Sequence, residues 1–410
     1  MLLGIAKDSL FSRKKTLVLT FISLTISMLV LFSVEHLRLQ VKESFQRTNS
    51  GTDLIVGAPS GQISLLLYSV FRIGQPTNDI SYQSFEVLNN HAAINWAIPL
   101  ALGDSHRGFR VLGTDNSYFE HYGYGEKQSL KFLKGGQFND LFDVVLGADV
   151  AEQLNYKLGD KVVVSHGVGT TSFSHHKHAP LTVTGILHPT GTPIDKTIHV
   201  TLDAITAIHL SPAQLSKRLA LKGKITMTPT HISAVMLGLK SKMMVFKMQR
   251  DINKYQSDRL MAILPGVAMS ELWQLTSGVE NALIIIAALV VLSSFCGLTT
   301  MLLASINERK MEISIYRMLG ARPKQITLLI VMEAMLIACT AMITSLALLA
   351  SGLTIFKSVL ATKFGLFIES FVFSESLLFL ILALCIAAML SAILPATALY
   401  HSIKQQSLSP

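Results

Sequence analysis

The hydrophobic and polar positions along this chain fall into two regimes. Four stretches are apolar on every side for the ~20 residues that a helix needs to cross a bilayer. They cover residues 16–34, 281–307, 334–356 (with a start as early as Ile326) and 376–403. Between the first two lies a region of mixed pattern, residues 36–278. There "DLIVGAP" and "FRVLGTD" read as short strands ending in turns. "DVVLGADVAEQLNYKLGDKVVVS" reads as strand, helix (148–156), Gly-Asp turn and strand. "LTVTGILHP", "TIHVTL" and "HISAVMLGLK" predict three more strands, the last followed by a helix over 241–255. Strands mixed with helices predict an α+β domain. The fold class is therefore four transmembrane helices with one large α+β domain inserted between the first and second. Ahead of the first span, Leu2, Ile5, Ala6, Ser9 and Leu10 share one face of a helix, which predicts a short interfacial helix.

Composition agrees with this division. Half of the 410 residues are hydrophobic and only 15% are charged, against about 25% in an ordinary soluble domain. The first apolar run is longer than the core of a signal peptide and no small-residue cleavage site follows it, so it is read as a retained span. The net charge of +9 reflects topology and not a nucleic-acid partner. Lys7, Arg13, Lys14 and Lys15 precede the first span, and Arg309, Lys310, Arg317, Arg322 and Lys324 lie between the second and third. Between the third and fourth, two lysines balance two glutamates. The positive-inside rule then puts the N-terminus, the 308–325 connection and the 404–410 tail in the cytoplasm, and the 36–278 domain outside. Residues 279–403 carry spans two to four. All three cysteines (Cys296, Cys339, Cys385) lie in spans, so the external domain folds without disulfides.

No phosphate-binding loop, nucleophile elbow or zinc-protease motif occurs in the chain. The chain thus has no phosphate-binding loop of its own, and no catalytic residue is expected here. Glu333 is a carboxylate within the third span; a proton or substrate site and a structural ion pair are the two readings, and the structural one is favoured. The charged connection "NERKMEISIYRMLGARPKQI" has internal order. Met311, Ile315, Met318 and Leu319 form one apolar stripe at helical spacing, and Arg309 and Glu312 stand three apart. Gly320 suits a helix C-terminus and Pro323 prevents continuation. Such a helix lies on the membrane surface or plugs into a soluble partner.

That connection resembles the Glu-Arg-x-x-Glu-Ile-x-x-x-Arg-x-x-Gly-Ala pattern of the MacB/FtsX class of ABC-transporter permeases. Further similarity runs in family order through "GTDLIVGAPSG", "VVLGADVAEQLNYKLGDKVVV", "LTVTGILHPTGTPIDKTIHVTLDAI" and "LPATALYHSIKQQSL", although the second proline of the closing motif is missing. The resemblance implies a non-catalytic inner-membrane permease subunit with a periplasmic domain, working as a homodimer or heterodimer with two copies of an ABC ATPase, which would hold the ATP and magnesium. It also allows a periplasmic adaptor or outer-membrane partner. Glu308, Arg309, Glu312, Arg317, Gly320 and Ala321 would form the ATPase-coupling helix, and Glu333 falls where many such permeases carry Glu. An FtsX-like regulatory scaffold that activates an external hydrolase is the alternative. Twelve of the thirteen histidines lie between His36 and His231, with His166, His175, His176 and His178 in one segment. Imidazole is a common metal ligand, so zinc or haem handling by His175, His176 and His178 is weighed against a solvated His- and Ser-rich loop, which explains the segment more simply.

Overall fold

The computed structural model describes residues 14–48, 50–125, 127–166, 179–220, 227, 229–308, 315, 318, 320–364 and 374–406. In chain order, helix α1 (Lys14–Arg47) leads to β1 (Leu54–Gly57), α2 (Gln62–Ser69), β2 (Ile80–Ser81), α3 (Tyr82–Asn89), β3 (Ile94–His106), β4 (Phe109–Thr114) and α4 (Ser117–His121). There follow β5 (Gly123–Tyr124), β6 (Gln128–Ser129), β7 (Phe132–Gly135), β8 (Asp143–Leu146), α5 (Ala148–Leu154), β9 (Lys161–Val162), β10 (Ser165–His166) and β11 (Leu181–Leu187). Then come β12 (Thr197–Thr201), α6 (Leu202–Ile208), α7 (Pro212–Ala220), β13 (His231–Ile232), β14 (Ala234–Leu239), α8 (Val245–Asn253) and β15 (Met261–Ile263). Three long helices close the chain: α9 (Pro265–Glu308), α10 (Pro323–Phe364) and α11 (Glu375–Gln406). The interfacial helix expected before residue 14 lies outside the described residues.

The chain divides into two compact units, Met1–Val41 with Ser277–Ser358 and Ile368–Pro410, and Lys42–Thr276 with Val359–Phe367. The first unit contains the four long apolar helices expected from the sequence. Its interior mixes large side chains such as Met28, Phe32, Phe295 and Leu298 with buried Ala287, Ala334, Ala338, Ala341, Ala388 and Ala392, whose small size lets the helix backbones approach. Outward-facing Leu19, Ile286, Leu289, Phe379 and Leu394 stay exposed. A helix apolar on both its inner and outer faces is at equilibrium in lipid and not in water.

The second unit is an α+β domain. Among the described residues it holds an eleven-stranded mixed sheet, ordered β15-β1-β14-β3-β4-β12-β8-β11-β7, with β10 paired to β3 and β9 to β11. The β12–β4 and β8–β11 pairs are parallel and the others antiparallel. Both faces are covered. Ile55, Ile98, Leu112, Val145 and Met236 pack with α2 and α4 on one side; Leu54, Val56, Val235 and Ala262 pack with α3 and α8 on the other. Burial on both sides explains strands that read as unbroken apolar runs, such as LIVG, DVVL and AVMLGL. The stretch "HISAVMLGLK" is two strands and not one. It breaks at Ser233, whose amide donates to the Leu100 carbonyl (2.8 Å) and whose Oγ accepts from the Leu102 amide (3.0 Å). The helix expected over 241–255 opens with a 3-10 turn at Lys242–Met244.

Candidate functional site

Helix α9 ends at Glu308 and α10 begins at Pro323, so the predicted coupling segment occupies the connection between two membrane helices. Arg309, Glu312 and Arg317, and the side chain of Glu308, lie outside the described residues. Ile315 and Met318 are described, helical and 49% and 79% exposed. Gly320 adopts a left-handed backbone (φ +91°), which glycine takes without a Cβ penalty and which ends a helix. Ala321 packs against the membrane core. Pro323 then sits in the first turn of α10, where its missing N–H has no helical partner to lose. The Arg322 amide donates to Gln325 Oε1 (2.8 Å) and the Gln325 amide to the Arg322 carbonyl (2.8 Å), a local clamp on the start of α10.

Deeper in the membrane unit, Glu333 is 2% exposed on α10, between buried Ile330, Ala334 and Ile337. A polar seam joins α1 to α9: Ser27 Oγ and Ser294 Oγ are 2.6 Å apart, with Ser23 Oγ 3.4 Å from Ser294. Thr299 ties α9 to α11 by donating to the Ser391 carbonyl (3.0 Å). In a solvent without hydrogen bonds, such contacts fix which helix faces meet. A cleft of about 360 Å³ between the start of α10 and the end of α11 is lined by Lys324, Thr327, Leu328, Val331, Ala396 and Thr397.

The α+β unit holds several buried ionisable groups. Asp195 is fully buried; its carboxylate accepts from the Thr190 amide (2.9 and 3.0 Å), Thr190 Oγ1 (2.9 Å) and the Gly191 amide (2.8 Å). Burial pushes its pKa up to about 6, the donors from Thr190 and Gly191 oppose that rise, and the Asp149 carboxylate adds to it. His199 is fully buried among Tyr118 and Phe119, and burial followed by the Arg72 guanidinium lowers its pKa to about 3. Arg72 reaches into this cluster from a left-handed backbone (φ +61°), donating to Tyr118 Oη (3.2 Å) and to the Ser69 carbonyl. These groups sit in the core and hold the sheet to its helices.

Histidines elsewhere in the unit are organised differently. His106 Nδ1 donates to the Val163 carbonyl (2.7 Å) and Nε2 accepts from Tyr156 Oη (2.9 Å), which keeps the ring neutral and pins the β9–β10 segment to β3. Two residues earlier in β3, Asp104 is buried with Oδ2 3.8 Å from His209 Nε2. Nothing in the spacing of the sequence pointed to that pair, because 104 residues separate its members. His175, His176 and His178 lie outside the described residues. Among the described residues, no group of three His, Cys, Asp or Glu side chains converges as a metal site.

A family model described as MacB-like periplasmic core domain matches residues 16–255, and one described as FtsX-like permease C-terminal matches residues 284–402. The first alone spans more than half of the chain, and the two follow the order of inserted domain and membrane helices seen in the structure. The chain belongs to the MacB/FtsX-like permease family: it is a multi-pass membrane protein of the ABC-transporter permease class, a class that partners an ATPase. Among solved structures it is similar to the crystal structure of the periplasmic region of MacB from Actinobacillus actinomycetemcomitans, with 10% sequence identity and a TM-score of 0.34. The match covers 55% of this chain and 94% of that one. No curated protein matches it.

Proposed function

We propose that the chain couples ATP hydrolysis on a separate ATPase subunit to movement of its external domain, working as a dimer with two ATPase copies. The observation that carries this reading is the α9–α10 connection. It presents Ile315 and Met318, both exposed, within a charged segment that Gly320 and Pro323 bring to a defined stop. Exposed apolar side chains framed by charge suit a groove on a soluble partner. Arg309, Glu312 and Arg317 supply the polar rim of that contact. The basic flanks orient this connection and both termini to the cytoplasm of the inner membrane, leaving the α+β unit in the periplasm. At 1.5 Å per residue, the 34 residues of α1 and 44 of α9 span about 51 and 66 Å, well beyond the ~30 Å hydrocarbon layer. Helices of that length are stiff enough to carry displacement from the ATPase side outward.

The cargo is exported or extracted outside the membrane: a peptide, antibiotic, lipoprotein, haem or metal. The concentration of histidine in the external unit supports metal or haem as one cargo class. A scaffold that activates a periplasmic hydrolase uses the same mechanics with no cargo.

Affinity purification of the tagged chain, co-expressed with a small ATPase carrying a phosphate-binding loop from the same operon, tests the partnership. Stable co-purification is expected, and its absence in mild detergent refutes the reading. Charge reversal at Glu312 or Arg317 is expected to leave insertion intact and abolish ATP-dependent function. Full function in those variants with the ATPase still bound refutes the coupling assignment.

A further inference from the structure

Helices α10 and α11 leave a gap where the first begins and the second ends. Helix α11 carries Pro395 in its interior. Proline has no N–H to give the Ser391 carbonyl one turn back, and Thr299 of α9 donates to that carbonyl instead (3.0 Å). Ala396 follows with only a methyl group, so α11 leaves the space beside Leu328 and Val331 unfilled, which is the cleft of about 360 Å³. That volume lies within the ~300–1,000 Å³ of small-ligand pockets. Leu328 in its wall is 48% exposed, so the cleft opens outward from the helices.

The lining is graded in polarity. Along α10 it passes from the ammonium of Lys324 through the Thr327 hydroxyl to Leu328 and Val331, a run of about 10 Å at 1.5 Å per residue. Helix α11 runs the other way, so Thr397 lies on the Lys324 side of Ala396. The Thr397 hydroxyl already donates to the Leu394 carbonyl (3.0 Å), which leaves Lys324 as the group that selects a ligand. Among the described residues no ion pair involves Lys324. A cation, then hydroxyls, then hydrocarbon is the complement of a phospholipid with its phosphate, glycerol esters and acyl chain. Lys324 also follows directly on the basic connection that the charge distribution places in the cytoplasm, so the cleft meets the membrane at headgroup level. Basic pockets between membrane helices on that side take the head groups of anionic lipids. A membrane helix of a second copy would offer apolar surface and leave the ammonium without an anion.

We propose that the cleft between α10 and α11 binds one anionic phospholipid of the cytoplasmic leaflet. Lys324 meets the phosphate, and Leu328, Val331 and Ala396 line the first part of an acyl chain. Occupancy of the cleft then sets how firmly the start of α10, the helix that leaves the coupling segment, is held against α11. The site rests on the membrane orientation proposed above and not on the ATPase. Lipid retention by the chain alone requires no ATPase, so either reading can fail without the other.

The test is native mass spectrometry of the full chain, purified in detergent and offered an equimolar mixture of phosphatidylglycerol and phosphatidylcholine. One retained phosphatidylglycerol per chain is expected, in excess over phosphatidylcholine. Lys324→Gln should lower that preference about five-fold, the share of one basic residue near an anionic surface, and Lys324→Glu should lower it further. Lys15→Gln, at the cytoplasmic base of α1, should leave it unchanged. Leu328→Trp fills the cleft and should reduce retention of both lipids. Lys324 and Leu328 are exposed, and an unchanged helical melting curve by circular dichroism certifies each fold. Water-soluble glycerol phosphate should not displace the lipid. Four results would overturn the proposal. They are no preference for phosphatidylglycerol in the wild type, an unchanged preference in K324Q, displacement by equimolar glycerol phosphate, or loss of a chain dimer in L328W with lipid retention intact, which would make a second copy the occupant.

Discussion

Replacing Asp195 by Asn should remove a pH-dependent component of the external domain's stability. The carboxyl is fully buried, and burial, augmented by the neighbouring Asp149 carboxylate, raises its pKa from 3.8 to about 6. In the unfolded chain the group returns to 3.8, so between these values the folded state holds more protons than the unfolded one. Stability must then fall as pH rises through that window. The contribution is fully present below pH 3.8 and lost above pH 6. A shift of about two units corresponds to roughly 3 kcal/mol, what remains of the burial penalty after the four hydrogen bonds from Thr190 and Gly191, which favour the ionised form, have opposed it. His199 and His106 act in the opposite sense. Burial lowers both, so each adds stability above its unfolded value that is lost in acid. The wild-type curve is therefore a sum of opposing terms, and the difference between wild type and D195N isolates Asp195. Both tryptophans, Trp96 and Trp273, lie in the α+β unit, so intrinsic fluorescence reports its melting in the full chain. Going from pH 4 to pH 7, the wild type should lose up to about 6–12 °C relative to D195N, at ~2–4 °C per kcal/mol for a domain of this size. A difference that stays constant across that range would refute the assignment of a raised pKa to this buried carboxyl.

Three other outcomes follow from the geometry. Gly147→Ala should destabilise the α+β unit by about 1–3 kcal/mol, because a Cβ there would stand 2.2 Å from the Ile194 carbonyl oxygen and 2.5 Å from that of Asp195. Gly136→Ala, which meets nothing within 4 Å, is the neutral control in the same fluorescence melts. Ser294→Ala breaks the contact with Ser27 and should cost about 0.6 kcal/mol in detergent unfolding, the average for hydrogen bonds between membrane helices; a Ser27→Ala, Ser294→Ala pair whose effects simply add would show that the hydroxyls do not interact. Ile315→Asp with Met318→Asp should abolish ATPase co-purification while leaving the melting temperature of the chain alone unchanged, and retention of the ATPase would remove these side chains from the contact.

The strands legible in the sequence, β1, β4, β8, β11, β12 and β14, are short, and β1, β4, β8 and β11 have Gly, Asp or Pro at or beside their ends, while the strand expected over 161–165 is two two-residue strands, β9 and β10. The longest strand was not recognised. In "INWAIPLALGDSH" Pro99 and Gly103 read as breakers, yet β3 runs for 13 residues through the middle of the sheet. The bulge at Gly103–Asp104 and the Thr114 hydroxyl, which donates to the Pro99 carbonyl (2.8 Å), accommodate what local pattern forbids. Helices α2, α3, α6 and α7 were missed for a related reason. Each is nine residues or shorter, too short for a periodic signal, and stable through tertiary burial more than through propensity.

Sequence alone determined that four segments belong in lipid, because the cost of burying peptide and charge in hydrocarbon is set residue by residue and needs no partner to evaluate. It also determined the α+β character of the inserted domain and, by resemblance, the family. Tertiary structure decided which polar groups meet. Ser27 finds Ser294, Arg72 finds Tyr118, and Asp104 faces His209 only after the sheet has brought distant segments together. Contacts of that kind depend on register, on a bulge and on the closing of long loops. These are properties of the folded topology, and no window of sequence contains them.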